Sequence, residues 1–136
     1  MPSRVKAIRI HETGGPEVMK WEDVDIGDPG PGQVLLRHTV VGLNFIDINH
    51  RSGAYPLANL PATIGMEAAG TVEAVGEGVT GFAPGDRVSH CMTLGAYSEK
   101  MLIAADRLIR LRDHTPDEIA AAATLQGLTA HYLLFE

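Results

Sequence analysis

Cysteine is almost absent from this chain of 136 residues. The single thiol, Cys91, excludes an internal disulfide, and it excludes every zinc site that is built from several cysteines. Because valine and methionine stand near Cys91 in the sequence, we predict that it is a small buried apolar residue rather than a nucleophile.

Long apolar runs and an excess of positive charge are also absent. Residues 1–6 lead into a charged, alternating stretch, which is typical of neither a secretory signal nor a membrane-spanning helix. The net charge is -6 and the Lys and Arg residues do not cluster, which argues against a phosphate-backbone partner. We therefore expect a cytoplasmic protein that binds neither nucleic acid nor a membrane.

What is present is ordinary for a globular protein. An apolar content of 45% and a charged content of 21% allow one domain with a hydrophobic core and a short tail. Alternating or β-branched segments, separated by turns rich in Gly and Pro, predict a mainly β domain of short strands. The predicted strands are residues 4–10, 19–26, 33–41, 64–75, 87–92 and 95–103.

A short helix is predicted after the third strand. Asn44 can cap it, because its side-chain oxygen can accept an amide hydrogen two or three positions on, and Asp47 adds a carboxylate to the positive first turn. We expect this helix to reach Asn49 or His50. Residues 52–63 contain two prolines and are predicted to form an irregular loop that cannot join a sheet interior.

The tail has helical patterns. Residues 115–118 form a capping box with proline at the first helical position, and a helix continues over residues 119–123. Residues 125–136 predict a second helix with an apolar stripe of leucines. If nothing else covers this stripe, the helix can pack on the β domain, pair with a second copy in a homodimer, or fray.

Two segments carry a resemblance to a known family: residues 41–50, VGLNFIDINH, and residues 64–70, IGMEAAG. Together they resemble the medium-chain dehydrogenase/reductase superfamily. In that superfamily the first segment often has Cys where this chain has Asn44, and the second has His where this chain has Met66. With both zinc ligands replaced, the chain is similar to the zinc-free, zeta-crystallin-like quinone oxidoreductase branch. Further segments of the family follow in order, at residues 14–18, 84–88, 95–99 and 126–130.

The resemblance implies a fold and an activity. It implies a GroES-like, partly open β-barrel with short helices over residues 1–114, and a helical connector over residues 115–136 toward a dinucleotide-binding domain. We expect that second domain to be absent, because the Gly76-Glu77-Gly78 run precedes a hairpin pattern rather than a helix. The implied reaction is metal-free hydride transfer from NADPH to a quinone, with this chain alone inactive. An enone or enoyl-thioester reductase and a non-catalytic scaffold domain are the alternatives.

The resemblance also implies site residues. Without a metal, hydrogen-bond donors must polarise the acceptor oxygen, and Asn44 and Tyr55 are the candidate catalytic donors. The residues implied to contact the cofactor are Asn44, Phe45, Ile46, Asp47 and Thr129.

Each of these residues also has a structural interpretation. Asn44 can act only as a helix cap, Phe45 and Ile46 can belong to a core, and Asp47 can hold the helix start or pair with Arg51 four residues on. A histidine at position 50 can serve a proton relay or simply end a helix. Glu67 stands among apolar neighbours and is predicted to be buried. We therefore predict that its carboxylate pairs with a cation, either Arg87 or Arg51.

Overall fold

The computed structural model describes residues 3–135; Met1, Pro2 and Glu136, which the predicted domain bounds include, lie outside the described residues. Over these described residues, eight strands and two α-helices follow one another. They are β1 Ser3–Ile10, β2 Met19–Ile26, β3 Gln33–Val41, α1 Phe45–Ser52, β4 Ala62–Thr63, β5 Glu67–Val75, β6 Arg87–Cys91, β7 Lys100–Ala104, β8 Ile109–Arg110 and α2 Asp117–Phe135, with 3-10 turns at Pro16–Val18 and Ala105–Arg107.

Two antiparallel sheets form the domain. One has the order β2-β1-β4 and the other the order β7-β3-β5-β6-β8. A single bridge between Ala7 and Ser98 joins the first sheet to the segment before β7. The two sheets do not close into one barrel, so the mainly β, partly open architecture that we predicted is confirmed.

The main core fills the inner face of the larger sheet. Its buried side chains come from β3, β5, β6 and β7 and are Val34, Leu36, Val72, Val88, Met101 and Ile103, with Leu108 beside them. On the outer face, Ala120 and Ala121 of α2 pack against Ala69 of β5. Small residues on both elements let the helix approach the sheet closely, and this packing brings α2 to the end of β3 and the start of β5.

The third strand and the first helix agree with the sequence patterns. β3 has neighbours on both sides, as predicted, and α1 begins after Asn44. The helix ends at Gly53, which has the left-handed conformation (φ 87°) and donates its N–H to the Asn49 carbonyl at 3.1 Å. The Gly76-Glu77-Gly78 segment is a turn after β5 and starts no helix, as predicted, but residues 79–82 form no strand of a hairpin, and the next strand is β6.

Three predicted elements were wrong in their bounds, and one short strand was missed. The strand predicted over residues 64–75 begins only at Glu67, because Gly65 has a φ of 98° that no regular strand adopts. The strand predicted from residue 95 begins only at Lys100, because Gly95 has a φ of 120° that no regular strand adopts. The loop predicted over residues 52–63 ends in the short strand β4, which pairs with β1 at a sheet edge. The strand β8 was missed, since two residues are too few to show an alternating pattern.

The two tail helices that we predicted are one continuous helix, α2. Thr124 and Gly127 do not interrupt it: the Thr124 hydroxyl donates to the Ala120 carbonyl at 2.7 Å, and Gly127 lies on the open side of the helix. A lone glycine costs a helix only about 1 kcal/mol relative to alanine, which tertiary packing of the first turns outweighs. The leucine stripe is exposed beyond residue 127, with Leu133 and Leu134 uncovered in the described part of the chain.

Gly127→Ala is expected to raise the free energy of unfolding by about 0.5 to 1 kcal/mol, because a methyl group there meets nothing within 4 Å and stiffens the unfolded chain. Thermal unfolding would measure the change. Gly78→Ala is the matched control: its surroundings are equally open, but its φ of 79° makes alanine strained, so the melting temperature should fall. Equal shifts in the two variants would contradict the prediction.

Candidate functional site

Asn44 lies at the junction between the end of β3 and the start of α1. Its backbone N–H donates to the Asp47 carboxylate at 3.0 Å, and the Asp47 N–H donates to the Asn44 carbonyl at 3.0 Å. These two bonds satisfy groups that a helix start leaves unpaired, and the carboxylate lies in the positive first turn. The predicted helix start at Asn44 is therefore confirmed.

Asp47 is buried and links this junction to the irregular segment before β7. Its Oδ2 also accepts a hydrogen bond from the Tyr97 hydroxyl at 2.7 Å. Burial, and then this bond, raises the pKa of Tyr97 well above its usual range, so the phenol stays a donor. The predicted structural role of Asp47 is confirmed, but its predicted pairing with Arg51 is wrong: Arg51 Nη1 donates to the Gly14 carbonyl at 3.1 Å instead.

The Asn44 side chain makes contacts of its own, away from the helix. Its Nδ2 donates to Glu67 Oε1 at 2.8 Å, and its Oδ1 accepts from Gln126 Nε2 at 3.4 Å. Asn44 is itself nearly buried. One carboxamide thus joins three elements, α1, β5 and α2, that are far apart in the sequence.

Glu67 has 0% exposure and lies at the start of β5. Our prediction of an arginine partner was wrong. Its Oε1 accepts from Asn44 and its Oε2 accepts from the Leu125 N–H of α2 at 2.6 Å. Arg87 instead pairs with Asp117 at the start of α2, at 2.5 Å. Two amide donors, rather than a guanidinium, satisfy the buried carboxylate.

The residues around Asn44 differ in exposure. Phe45, which could have belonged to a core, is 77% exposed, and Ile46 is half-buried. Tyr55 is 54% exposed at the other end of α1, and its ring centroid lies 6.4 Å from that of the His50 ring in an edge-on arrangement. Thr129 is exposed on α2. Among the described residues, no hydrogen bond joins Tyr55 or Thr129 to Asn44, so the structure gathers Asn44, Glu67 and Gln126 and leaves these two apart.

A histidine pair was missed in the sequence; His90 is fully buried and His38 is half-buried. His38 of β3 and His90 of β6 approach to 3.2 Å between their Nε2 atoms. The Ser98 carbonyl, which can only accept, lies 2.7 Å from His38 Nδ1, so that nitrogen carries the proton. His90 Nε2–H must then donate to His38 Nε2. Burial lowers the pKa of both rings, that of His90 to about 3. Because the two histidines are separated by 52 positions in the sequence, no local pattern indicates the pair; it follows only from the strand register.

Two hollows border the junction. One of about 540 Å³ lies between β1, β2, β3 and α1, has mainly apolar walls that include Trp21 and Leu43, and reaches Asp47. The other, of about 190 Å³, is lined by Glu67, Gln126 and neighbours on β3 and α2. The smaller one therefore adjoins the groups that hold the Asn44 carboxamide.

Over residues 3–135, no three or more His, Cys, Asp or Glu side chains are grouped so that they could hold a metal ion. Met66 is buried. Cys91 is half-buried rather than buried as predicted, and burial followed by the charge of Glu67 raises the pKa of its thiol, which disfavours the nucleophilic thiolate. No helix in the described part of the chain is long and apolar enough to cross a membrane.

Comparison with known proteins places this geometry in a family. Residues 30–113 match the alcohol dehydrogenase GroES-like domain. The chain is 48% identical over 130 residues to a quinone oxidoreductase of Pseudomonas aeruginosa, covering 95% of this chain and 40% of that protein. It is 47% identical over 138 residues to a 2-haloacrylate reductase of Burkholderia, covering 97% of this chain and 41% of that protein.

A solved structure shares the fold. The quinone oxidoreductase of Escherichia coli complexed with NADPH matches with a TM-score of 0.93 at 42% identity, over 96% of this chain and 40% of that one. The chain thus spans about two fifths of the length of the relatives that it matches.

Proposed function

The chain belongs to the alcohol dehydrogenase GroES-like domain family, in the quinone oxidoreductase branch of the medium-chain dehydrogenase/reductase superfamily, and on this premise we propose that it is the N-terminal catalytic domain of an NADPH-dependent quinone oxidoreductase. The substrate is a small quinone-like molecule, and the protein acts in the cytoplasm. The observation that carries the proposal is the Asn44 carboxamide, held by partners on β5 and α2 beside exposed apolar side chains.

The surroundings of Asn44 fit a nicotinamide. Leu43 and Phe45, on either side of it, expose apolar surface that a flat ring can cover, and the carboxamide between them offers polar groups to the ring or to an acceptor. When bound, NADPH supplies the hydride. This chain then binds and orients both molecules, and the second N–H of Asn44 donates to the acceptor oxygen as its negative charge develops.

The other proposed site residues have supporting positions. Phe45 and Ile46 form the apolar wall, Asp47 holds the start of α1 behind them, and Thr129 is an accessible hydroxyl on α2 for the cofactor. Tyr55 is the second donor to the acceptor and approaches from the end of α1. We propose that the reaction needs no zinc, because an amide at Asn44 and a thioether at Met66 are poor zinc ligands.

A hybrid enzyme tests the proposal. This chain would replace the matching N-terminal residues of the Pseudomonas aeruginosa quinone oxidoreductase, to which it is 48% identical. We expect NADPH oxidation that depends on an added quinone and withstands dialysis against a zinc chelator. A folded hybrid that binds NADPH but reduces no quinone would contradict the proposal. Parallel assays with a 2-haloacrylate, the acceptor in the name of the Burkholderia relative, would distinguish carbonyl reduction from reduction of an activated double bond.

Asn44→Ala in this hybrid is expected to lower kcat for quinone reduction by about 10- to 100-fold, because one preorganised donor to the acceptor is lost. The KM for NADPH should change much less. Asn49→Ala on the same helix is the matched control, since the Asn49 side chain forms no hydrogen bond within residues 3–135. If both variants lose kcat equally, helix disruption rather than loss of the donor explains the effect.

A further inference from the structure

Glu67 is a fully buried carboxylate that the proposed reaction does not use directly. None of the ion pairs over residues 3–135 includes it: the two arginines predicted as its partners bind other groups, Arg87 to Asp117 and Arg51 to the Gly14 carbonyl. Burying a charge without a cation is costly, so the position must be held by good hydrogen bonds. Those bonds come from Asn44 Nδ2 and from the Leu125 N–H.

The backbone of two neighbouring elements lies close against the Glu67 carboxylate. Gly42 follows β3, and its N–H donates to the Glu67 carbonyl at 2.9 Å. A Cβ at this glycine would lie 2.5 Å from Glu67 Oε1 and 2.5 Å from the Ala121 carbonyl of α2. The carboxylate is therefore confined between β3 and α2, with one oxygen facing Asn44 and the other facing the helix.

These contacts determine the orientation of the Asn44 carboxamide. Both Glu67 oxygens act as acceptors, so only the NH₂ group of Asn44 can face them; rotating the carboxamide by half a turn would set its carbonyl oxygen against Oε1. In the orientation present, Oδ1 faces Gln126 Nε2, and the second N–H of Asn44 is not used by Glu67. The orientation follows from the whole network and not from one bond.

We propose that Glu67 is a positioning residue: it fixes which way the Asn44 carboxamide points and couples that orientation to α2 through the Leu125 N–H. The effect on catalysis rests on the proposed function of Asn44. The orientation itself does not, because it follows from hydrogen bonds within this chain. Glu67 touches no substrate; it acts only through Asn44.

Nuclear magnetic resonance of the unaltered chain tests the orientation directly. One Asn44 side-chain N–H should exchange slowly with solvent, and its signal and that of the Leu125 amide should lie at low field, as expected for bonds to a carboxylate. A rapidly exchanging Asn44 side chain with two nearly equivalent protons would overturn the proposal, whatever the enzyme assays show.

Glu67→Gln is the isosteric test. The new NH₂ group must face either Asn44 Nδ2 or the Leu125 N–H, so one of the two bonds becomes a donor–donor contact. We expect the slow exchange and low-field signal of at least one of the two donors, the Asn44 side chain or the Leu125 amide, to be lost. In the hybrid enzyme, kcat should fall by about tenfold or more with a smaller change in the KM for NADPH, because the donor is misplaced and not removed. Unchanged signals of both the Asn44 side chain and the Leu125 amide in Glu67→Gln would overturn the proposal.

The double variant Glu67→Gln with Asn44→Asp separates positioning from mere stability. The carboxamide introduced at position 67 can then donate to the carboxylate introduced at position 44 and accept from the Leu125 N–H, so the network is complete again with its polarity reversed. We expect the melting temperature of this double variant to recover toward that of the unaltered chain while kcat stays low, since no carboxamide donor faces the acceptor. Recovery of kcat together with stability would overturn the positioning role. An inactive unaltered hybrid would contradict the proposed function alone and leave the NMR result to decide this one.

Discussion

Replacing Gly70 by alanine is expected to destabilise the domain by about 3 kcal/mol or more, at the upper end of what overpacking costs. Gly70 lies in the middle of β5, between β3 and β6. A Cβ there would collide with the Arg37 carbonyl oxygen and lie 3.0 Å from the His38 Cα. Both are backbone atoms of the neighbouring strand, so neither can swing away as the end of a side chain can, and the two central strands would have to separate.

Urea unfolding followed by tryptophan fluorescence or circular dichroism would measure this loss as a lower midpoint. Gly81→Ala is the matched control, because a methyl group there meets nothing within 4 Å and the backbone has an ordinary φ, so its effect should stay within about 0.5 kcal/mol. A midpoint for Gly70→Ala equal to that of Gly81→Ala would show that the β3–β5 spacing adapts freely, contrary to the packing described above.

Gly70 also shows how far the sequence alone can be interpreted. The mixture of Gly and Ala in residues 64–75 indicates a strand that other backbones approach closely, and the structure has Ala69 against α2 on one face and Gly70 against β3. Local patterns of this kind gave correct bounds for β2 and β3, because alternation and turn residues act over a few positions. The family resemblance supplied the rest of the fold class, and the matching family confirms it.

The partners of Glu67 could not be predicted in the same way. Burial of this side chain follows from its apolar neighbours, but a buried carboxylate accepts from amides as readily as from a guanidinium, and sequence spacing does not distinguish them. The bond to Leu125 spans 58 residues and the contact from Gln126 to Asn44 spans 82. Only the close approach of α2 to β5 creates both. The continuous course of α2, which the sequence divided into two helices, is therefore what completes the network around Asn44.

Acidification from pH 6.5 toward pH 3 is expected to lower the free energy of unfolding by several kcal/mol, with His90 as a main cause. Burial, and then repulsion from His38, lowers the pKa of His90 from its ordinary 6.5 to about 3. In the unfolded chain the imidazole takes up a proton below pH 6.5, whereas in the folded chain it does so only near pH 3. The unfolded state therefore binds more protons in this window, and stability falls as the pH falls.

Below pH 6.5, His90 alone lowers the free energy of unfolding by up to about 1.4 kcal/mol for each unit by which the pH falls. Between pH 6.5 and pH 3 this amounts to a loss on the order of 4 kcal/mol. The lowered pKa of His38 adds to the slope in the same direction. The carboxyls of Asp86 and Asp117, whose pKa values are also lowered, add their share only as they protonate at lower pH. Urea midpoints measured between pH 7 and pH 4 would give the profile.

His90→Gln is expected to flatten this profile by about 1 kcal/mol per pH unit, because glutamine does not titrate and its side-chain N–H can still donate to His38 Nε2. The variant should be less stable than the unaltered chain at pH 7 and more stable than it in acid. The two curves of unfolding free energy against pH should therefore cross. His131→Gln, which removes an exposed imidazole from α2, shows whether the loss of any histidine has the same effect. Equal flattening in both variants, or no flattening in His90→Gln, would mean that the buried pair is not what makes the fold acid-sensitive.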